Sequence, residues 1–257
     1  MDILNKQKKN NNSSKTHLTL DQKRQIREEA KRLQILSDVK KKYPNIRKLS
    51  DLQYRYLEKG IENICYYDIE CSDFNPLGNF IIGYVAIIRN IVTGKTEEYE
   101  YNISKKDIHD AVTRDSMDFD YKLLGYLSDC VNSCDALIGH FSTKFDTPYF
   151  RTRCLLTHQE YLIPDYRKIK QGDTWRMMKN SMKAPRNTLM NFALYTDTPN
   201  QKTHVAMKHW QRIRFPKNPN WQKSMDYIMD HCRKDVRMTM RAHKKIEKFN
   251  AIGSVLV

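Results

Sequence analysis

The stretch YYDIECSDF, Tyr66 to Phe74, begins like a buried strand yet carries Asp68 and Glu70 two residues apart. Residues i and i+2 of a strand point to the same face, so these two acids project together. Like charges on one face repel, and each loses hydration on burial. Either this strand has a polar face at a sheet edge, or something positive sits between the carboxylates.

Working outward, Ile64 to Cys71 reads as a first strand and Asn79 to Asn90 as a second. Val92 to Lys95 (VTGK) supplies a glycine turn, and Glu97 to Ile103 alternates like a third strand. Tyr121 to Cys134 is helical in pattern, and Asp135 to His140 (DALIGH) is short and apolar, as expected of a central strand. After Pro148 the pattern is mainly helical, broken near Pro164, Pro185, Pro199, Pro216 and Pro219. That order predicts an α/β fold, a mixed sheet wrapped by helices.

Four segments follow from composition. Residues 1–16 form a polar, low-complexity tail, and residues 17–60 a basic helical extension that opens in a Thr19/Gln22 capping box. Ile26, Ala30, Leu33 and Leu36 recur there at helical spacing, and Leu49 to Leu57 reads as a second short helix. The main domain covers residues 61–250, and residues 251–257 form a short C-terminal tail.

The chain has 257 residues, 40% of them hydrophobic, enough for a full core, and a formal net charge of +15. Residues 1–60 carry a net +9, residues 61–150 a net −8, and residues 151–257 a net +14. An acidic middle between basic flanks suits a carboxylate-rich site serving a polyanion, and suits a membrane surface less well. The six cysteines show no CxxC pair and no histidines at zinc spacing, so they read as reduced thiols. No apolar run approaches the ~20 residues of a membrane span, which predicts a cytoplasmic protein, in the host cytoplasm if viral.

Two further acids stand in informative contexts. Asp146, in IGHFSTKFDTPYFRTRC, follows an apolar strand and a short polar loop, and precedes Thr147-Pro148, where a helix can begin. By itself it reads equally well as a helix cap. Asp235 lies on a helix from Met225 to Phe249, capped by Ser224, beside an apolar stripe of Met225, Ile228, Met229, Cys232, Val236 and Met240. His231 is one turn earlier and shares its face.

Taken together, YYDIECSDF, IGHFSTKFDTPYFRTR and YIMDHCRKDV resemble the three motifs of the DEDD (DnaQ-like) 3′–5′ exonuclease superfamily, in order and at domain-sized spacing. The match spans roughly residues 61–249 and is similar to exonuclease-like proteins of phages and microbes. The resemblance implies a ribonuclease H-like fold and two Mg²⁺ or Mn²⁺ ions held by Asp68, Glu70, Asp146 and Asp235. On that reading Asp68 bridges the ions, Glu70 and Asp235 ligate one side, Asp146 acts through a bound water, and His231 is the general base. One branch of the superfamily has tyrosine four before the last acid and another has histidine five before it; this chain has histidine four before it. Tyr227 shares the helical face but sits a turn too far away.

The implied substrate is single-stranded nucleic acid, DNA ahead of RNA. The alternatives are an RNA-processing exonuclease, a structure-selective endonuclease or a non-cleaving nucleic-acid-binding module. A separate polymerase or replication or repair protein is the implied partner. For phosphate contact the candidates are Arg151 and Arg153 after the second motif, Lys183 and Arg186 in a loop-helix segment, and Arg233 and Lys234 beside the third. Trp175, Phe192, Tyr195 and Trp210 lie among basic residues and read as base-stacking faces or as core. Asp173 reads most simply as a helix cap.

Overall fold

A computed structural model of the chain describes residues 19–199 and 204–249; the tails expected at residues 1–16 and 251–257 lie outside these. The chain divides into two units, Met1–Ser50 and Asp51–Val257. In the first, helix α1 (Leu20–Lys42) starts in the capping box read from the sequence. Thr19 Oγ1 accepts from the Gln22 N–H at 3.2 Å, and Gln22 Oε1 accepts from the Thr19 N–H at 2.9 Å. Asp21 in its first turn and Lys40, Lys41 and Lys42 in its last complement the helix dipole.

The second unit is α/β. Among the described residues its sheet has five strands in the order β3-β2-β1-β4-β5: β1 (Asn63–Cys71), β2 (Ile81–Asn90), β3 (Thr96–Asn102), β4 (Ala136–Gly139) and β5 (Lys170–Asp173). Strands β1, β2 and β3 pair antiparallel, while β4 runs parallel to β1 and β5 parallel to β4. This is the mixed, helix-flanked sheet that the ribonuclease H-like resemblance implied. Strand β2, IIGYVAIIRN, is buried from Ile81 to Ile87 because both of its faces are covered. Edge strand β3 carries Glu97, Glu98 and Glu100, charges that discourage pairing with another sheet.

Helices α4 (Tyr121–Asn132) and α9 (Trp221–Ile246) cover opposite faces. The alternation of β2 shows this directly. A Cβ at Gly83 would collide with the Met229 side chain of α9, whereas the hydroxyl of the next residue, Tyr84, lies 3.6 Å from Cys130 Sγ of α4. Of the α9 stripe read from the sequence, Met225, Ile228, Met229, Cys232 and Val236 are buried as their spacing predicted, whereas Met240 is only half-buried and Met238 is buried in its stead.

The remaining helices are α2 (Asp51–Leu57), α3 (Lys105–Thr113), α5 (Asp146–Leu156), α6 (Thr174–Ser181), α7 (Leu189–Tyr195) and α8 (Met207–Ile213). Helix α2, strand β2 and the end of α9 are tied by a buried network. Arg89 donates to both Glu247 oxygens, at 2.9 and 3.1 Å, and Tyr56 donates to Glu247 at 2.9 Å. Among the described residues no helix is long and apolar enough to cross a membrane.

Three local features differ from the sequence reading. Helix α9 begins at Trp221, and Ser224 lies inside it with its Oγ 3.2 Å from His209 Nδ1 instead of capping. Strand β5, KQGD, has no apolar residue to signal it and exists through its pairing with β4. Helix α3 was not anticipated, although Ser104 and Asp107 form a complete capping box at its start.

Candidate active site

Strand β1 delivers Asp68 and Glu70 to the face covered by α9. Their partners on β2 are Val85 and Gly83, and the register shifts just after Glu70. Gly83, with no side chain, lets α9 approach closely at this point. Opposite the acids stands Cys232 of α9, its Sγ donating to the Asp68 carbonyl oxygen at 3.5 Å and lying 3.7 Å from Asp68 Oδ2. One donor atom from each of Asp68, Glu70 and Cys232 lies within 4.8 Å of the others.

Asp146 reaches the same place from the start of α5. The chain leaves β4 at Gly139, where a Cβ would strike Ser142, and turns sharply, with Phe141 at φ 66°. Asp173 braces the loop. Its carboxylate accepts from the Phe141 N–H at 2.9 Å, the Thr143 N–H at 3.2 Å and the Thr143 hydroxyl at 2.6 Å. It also caps α6 through the Trp175 N–H at 2.9 Å, so the capping expectation holds and a second task is added. Asp146, 3% exposed, accepts from the Ile69 N–H at 3.0 Å. Burial pushes its carboxyl up to about 7, with the Asp173 charge adding to the rise.

Asp235 and His231 come from one face of α9, with His231 Nε2 3.7 Å from Asp235 Oδ2. The Cys232 thiol between them reports on the whole site. Burial raises its pKa first, and then the negative charges of Asp68, Glu70, Asp235 and Asp146 raise it further. Carboxylates from β1, α5 and α9 therefore all act on one buried sulfur. Carboxylates gathered out of water are unfavourable without counter-charge, and clustered oxygens are the donors that Mg²⁺ and Mn²⁺ take. The residues present fit such ions.

A groove of about 620 Å³ opens beside the acids. Glu70 and His231 line it, together with Phe74, Phe145, Met207 and Trp210. The Phe74 and Phe145 rings meet edge-on at 5.9 Å. Arg214 stands at its wall with Nη2 3.6 Å from Asp73 Oδ2. Phe74, Phe145, Met207, Arg214 and Cys232 escaped the sequence reading as site residues. The available signal was adjacency: Phe74 lies four residues after Glu70, and Phe145 directly precedes Asp146.

The cations expected to meet phosphate divide into distinct groups. Lys183 and Arg186 are exposed between α6 and α7. Arg233 pairs with Glu100 at 2.6 Å and Asp230 at 3.5 Å, and Lys234 pairs with Asp230 at 2.6 Å. The Arg151 guanidinium stacks over the Tyr166 ring at 4.5 Å. Arg153 is a correction: it is 4% exposed and grips the fully buried Asp120 through Nε and Nη2, each at 2.8 Å. A guanidinium fork already engaged this way is a structural ion pair. Of the aromatic candidates, Phe192 is core, Trp210 lines the groove, and Trp175 packs edge-on to Phe141 at 5.5 Å. Tyr227 stacks flat on His209 at 4.4 Å.

No protein-family model matches the chain, and no curated protein matches it. Among solved structures the fold is similar to the family B DNA polymerase from the hyperthermophilic archaeon Pyrobaculum calidifontis, with a TM-score of 0.54 and 16% identity. The match covers 73% of this chain and 25% of that one, so the chain spans about a quarter of the polymerase's length. At that identity the likeness is one of fold.

Proposed function

We propose that the chain is a metal-dependent 3′–5′ exonuclease of the DEDD type acting on single-stranded nucleic acid, with DNA preferred to RNA. What supports this reading is that donor atoms of Asp68, Glu70 and Cys232 lie within 4.8 Å of one another, that Asp146 accepts from the Ile69 N–H between the two β1 acids, and that His231, 3.7 Å from Asp235, lines the groove beside Glu70. Asp68, Glu70, Asp146 and Asp235 would hold two Mg²⁺ or Mn²⁺ ions, which supply charge neutralisation at the scissile phosphate and a more acidic water. His231 would accept the proton of the attacking water, and Asp235 at 3.7 Å would orient its ring and stabilise it once charged. Phe74, Phe145 and Trp210 would stack against unpaired bases of the strand end, while Lys183 and Arg186 would meet its phosphates. Similarity of fold to a DNA polymerase favours DNA as the substrate and a separate polymerase or repair protein as the partner.

The test is a gel of end-labelled single- and double-stranded DNA and RNA incubated with Mg²⁺, Mn²⁺ or EDTA. A metal-dependent ladder shortening from the 3′ end, fastest on single-stranded DNA and lost in Asp68→Ala and Asp235→Ala, is expected. Discrete internal bands would instead identify an endonuclease. Shifted but intact substrate would identify a binding module, and unchanged cleavage by Asp68→Ala would remove the site.

A further inference from the structure

The sheet face opposite the acids carries a second cavity, of about 500 Å³. There Tyr84 of β2 and Tyr99 and Tyr101 of β3 meet Tyr126 and Asp129 of α4. The register explains the gathering. Tyr84 pairs with Tyr101 and Ala86 with Tyr99, so all three strand tyrosines share the face that α4 covers. Tyr84 is buried at the floor, while Tyr99 and Tyr126 stand at the rim, 40% and 49% exposed. The Tyr101 and Tyr126 rings lie 4.8 Å apart, inclined at 44°.

The hydroxyls of the three strand tyrosines are engaged away from any ligand. Tyr84 Oη lies 3.6 Å from Cys130 Sγ, Tyr99 donates to Glu97 at 2.6 Å, and Tyr101 donates to Asp107 at 3.0 Å. The tyrosine rings line the cavity, and the face of such a ring is its electron-rich surface. A phenol that donates to a carboxylate pushes electron density into its ring, so Tyr99 and Tyr101 are more negative on their faces than ordinary tyrosines. The bond to Glu97 raises the pKa of Tyr99, while burial first and the bond to Asp107 second raise that of Tyr101. Asp129 of α4 lines the cavity beside them. Glu100, between Tyr99 and Tyr101 on β3, turns to the other sheet face and pairs with Arg233 of α9 at 2.6 Å.

An electron-rich aromatic enclosure with one carboxylate at its wall selects a cation. Inside the cavity an N–H group would find phenolic oxygens and the Asp129 carboxylate as its acceptors. A primary ammonium would surrender its hydrogen bonds to water on entry, whereas a quaternary ammonium has none to surrender. We propose that this cavity binds a quaternary ammonium group, with Tyr99, Tyr101 and Tyr126 as its walls and Asp129 as its counter-charge. Its size lies in the ~300–1,000 Å³ range of small-molecule pockets. The assignment is independent of the nuclease reading, because none of these residues touches the acidic site.

The full chain should be titrated with choline and with its neutral carbon isostere, 3,3-dimethyl-1-butanol, following the tyrosine ring resonances by NMR. Choline should shift resonances of Tyr99, Tyr101 and Tyr126 saturably, and the isostere should bind at least about tenfold more weakly. Tyr126→Leu and Asp129→Asn should each weaken choline about fivefold or more. Both positions are exposed, so the variants should keep the parent's melting curve. Absence of saturable shifts would overturn the assignment, as would equal affinity for the isostere or indifference to both substitutions. Tighter binding of n-butylammonium than of choline would overturn the quaternary class.

Discussion

Replacing Asp146 with asparagine should stabilise the metal-free protein, and by more as pH rises. Burial pushes this carboxyl up to about 7 from 3.8; the Asp173 charge adds to that, and the hydrogen bond from the Ile69 N–H restrains it. An acid whose pKa is raised on folding holds its proton more tightly folded than unfolded. Its stability contribution is complete below the unfolded pKa and is lost as pH climbs through the folded one. At about 1.36 kcal/mol per unit, the loss approaches roughly 4 kcal/mol above about pH 7. Between about pH 5 and pH 8 the wild type should lose roughly 2–3 kcal/mol that the variant keeps. Asparagine retains an oxygen for the Ile69 N–H and carries no charge. Urea unfolding of both proteins in EDTA across that range reads the gap, and titrating groups common to both cancel in the comparison. Millimolar Mg²⁺ or Mn²⁺ should then stabilise the wild type more than the variant, because an ion held by Asp146 favours the native state by mass action. A gap that stays constant with pH, or equal stabilisation of both proteins by the ions, would refute the placement of Asp146 in a cation site shared with Asp68.

Other outcomes follow from the same geometry. His231→Ala should slow turnover on end-labelled single-stranded DNA by a factor on the order of 10²–10⁴ with little change in KM, while His231→Tyr should keep part of the rate. Arg153→Ala should cost about 3–5 kcal/mol in urea unfolding, because it strands the buried Asp120, and should leave the salt dependence of DNA binding unchanged in the folded protein. Lys183→Glu combined with Arg186→Glu should do the reverse, flattening the salt dependence at unchanged stability. His243, fully enclosed, has its pKa lowered to about 4, first by burial, with the Arg89 charge helping and Glu247 opposing. Its contribution is therefore present above the unfolded value of 6.5 and lost as pH falls toward about 4, up to roughly 3 kcal/mol. His243→Gln should remove that slope from the unfolding midpoint.

The acids were legible because periodicity decides which face each one occupies. Strand spacing puts Asp68 with Glu70, helix spacing puts His231 with Asp235, and the end of an apolar strand brings Asp146 to β1 between the first two. Periodicity does not say which faces meet. Cys232 read as one more member of an apolar stripe, and only the approach of α9 to β1 at Gly83 turns its sulfur toward Asp68. Arg153 shows the same limit from the other side. An arginine beside a motif reads alike whether it waits for phosphate or grips an acid 33 residues earlier, and the partner is chosen by tertiary packing. Asp173 carries the argument furthest. Its cap on α6 was readable from its own neighbours, but its three bonds to the loop of Phe141 and Thr143 depend on β5 lying beside β4. That pairing left no hydrophobic trace in KQGD. The strand hardest to see in the sequence is thus the one that holds the loop delivering Asp146, so the brace on the fourth acid becomes visible only once the sheet is assembled.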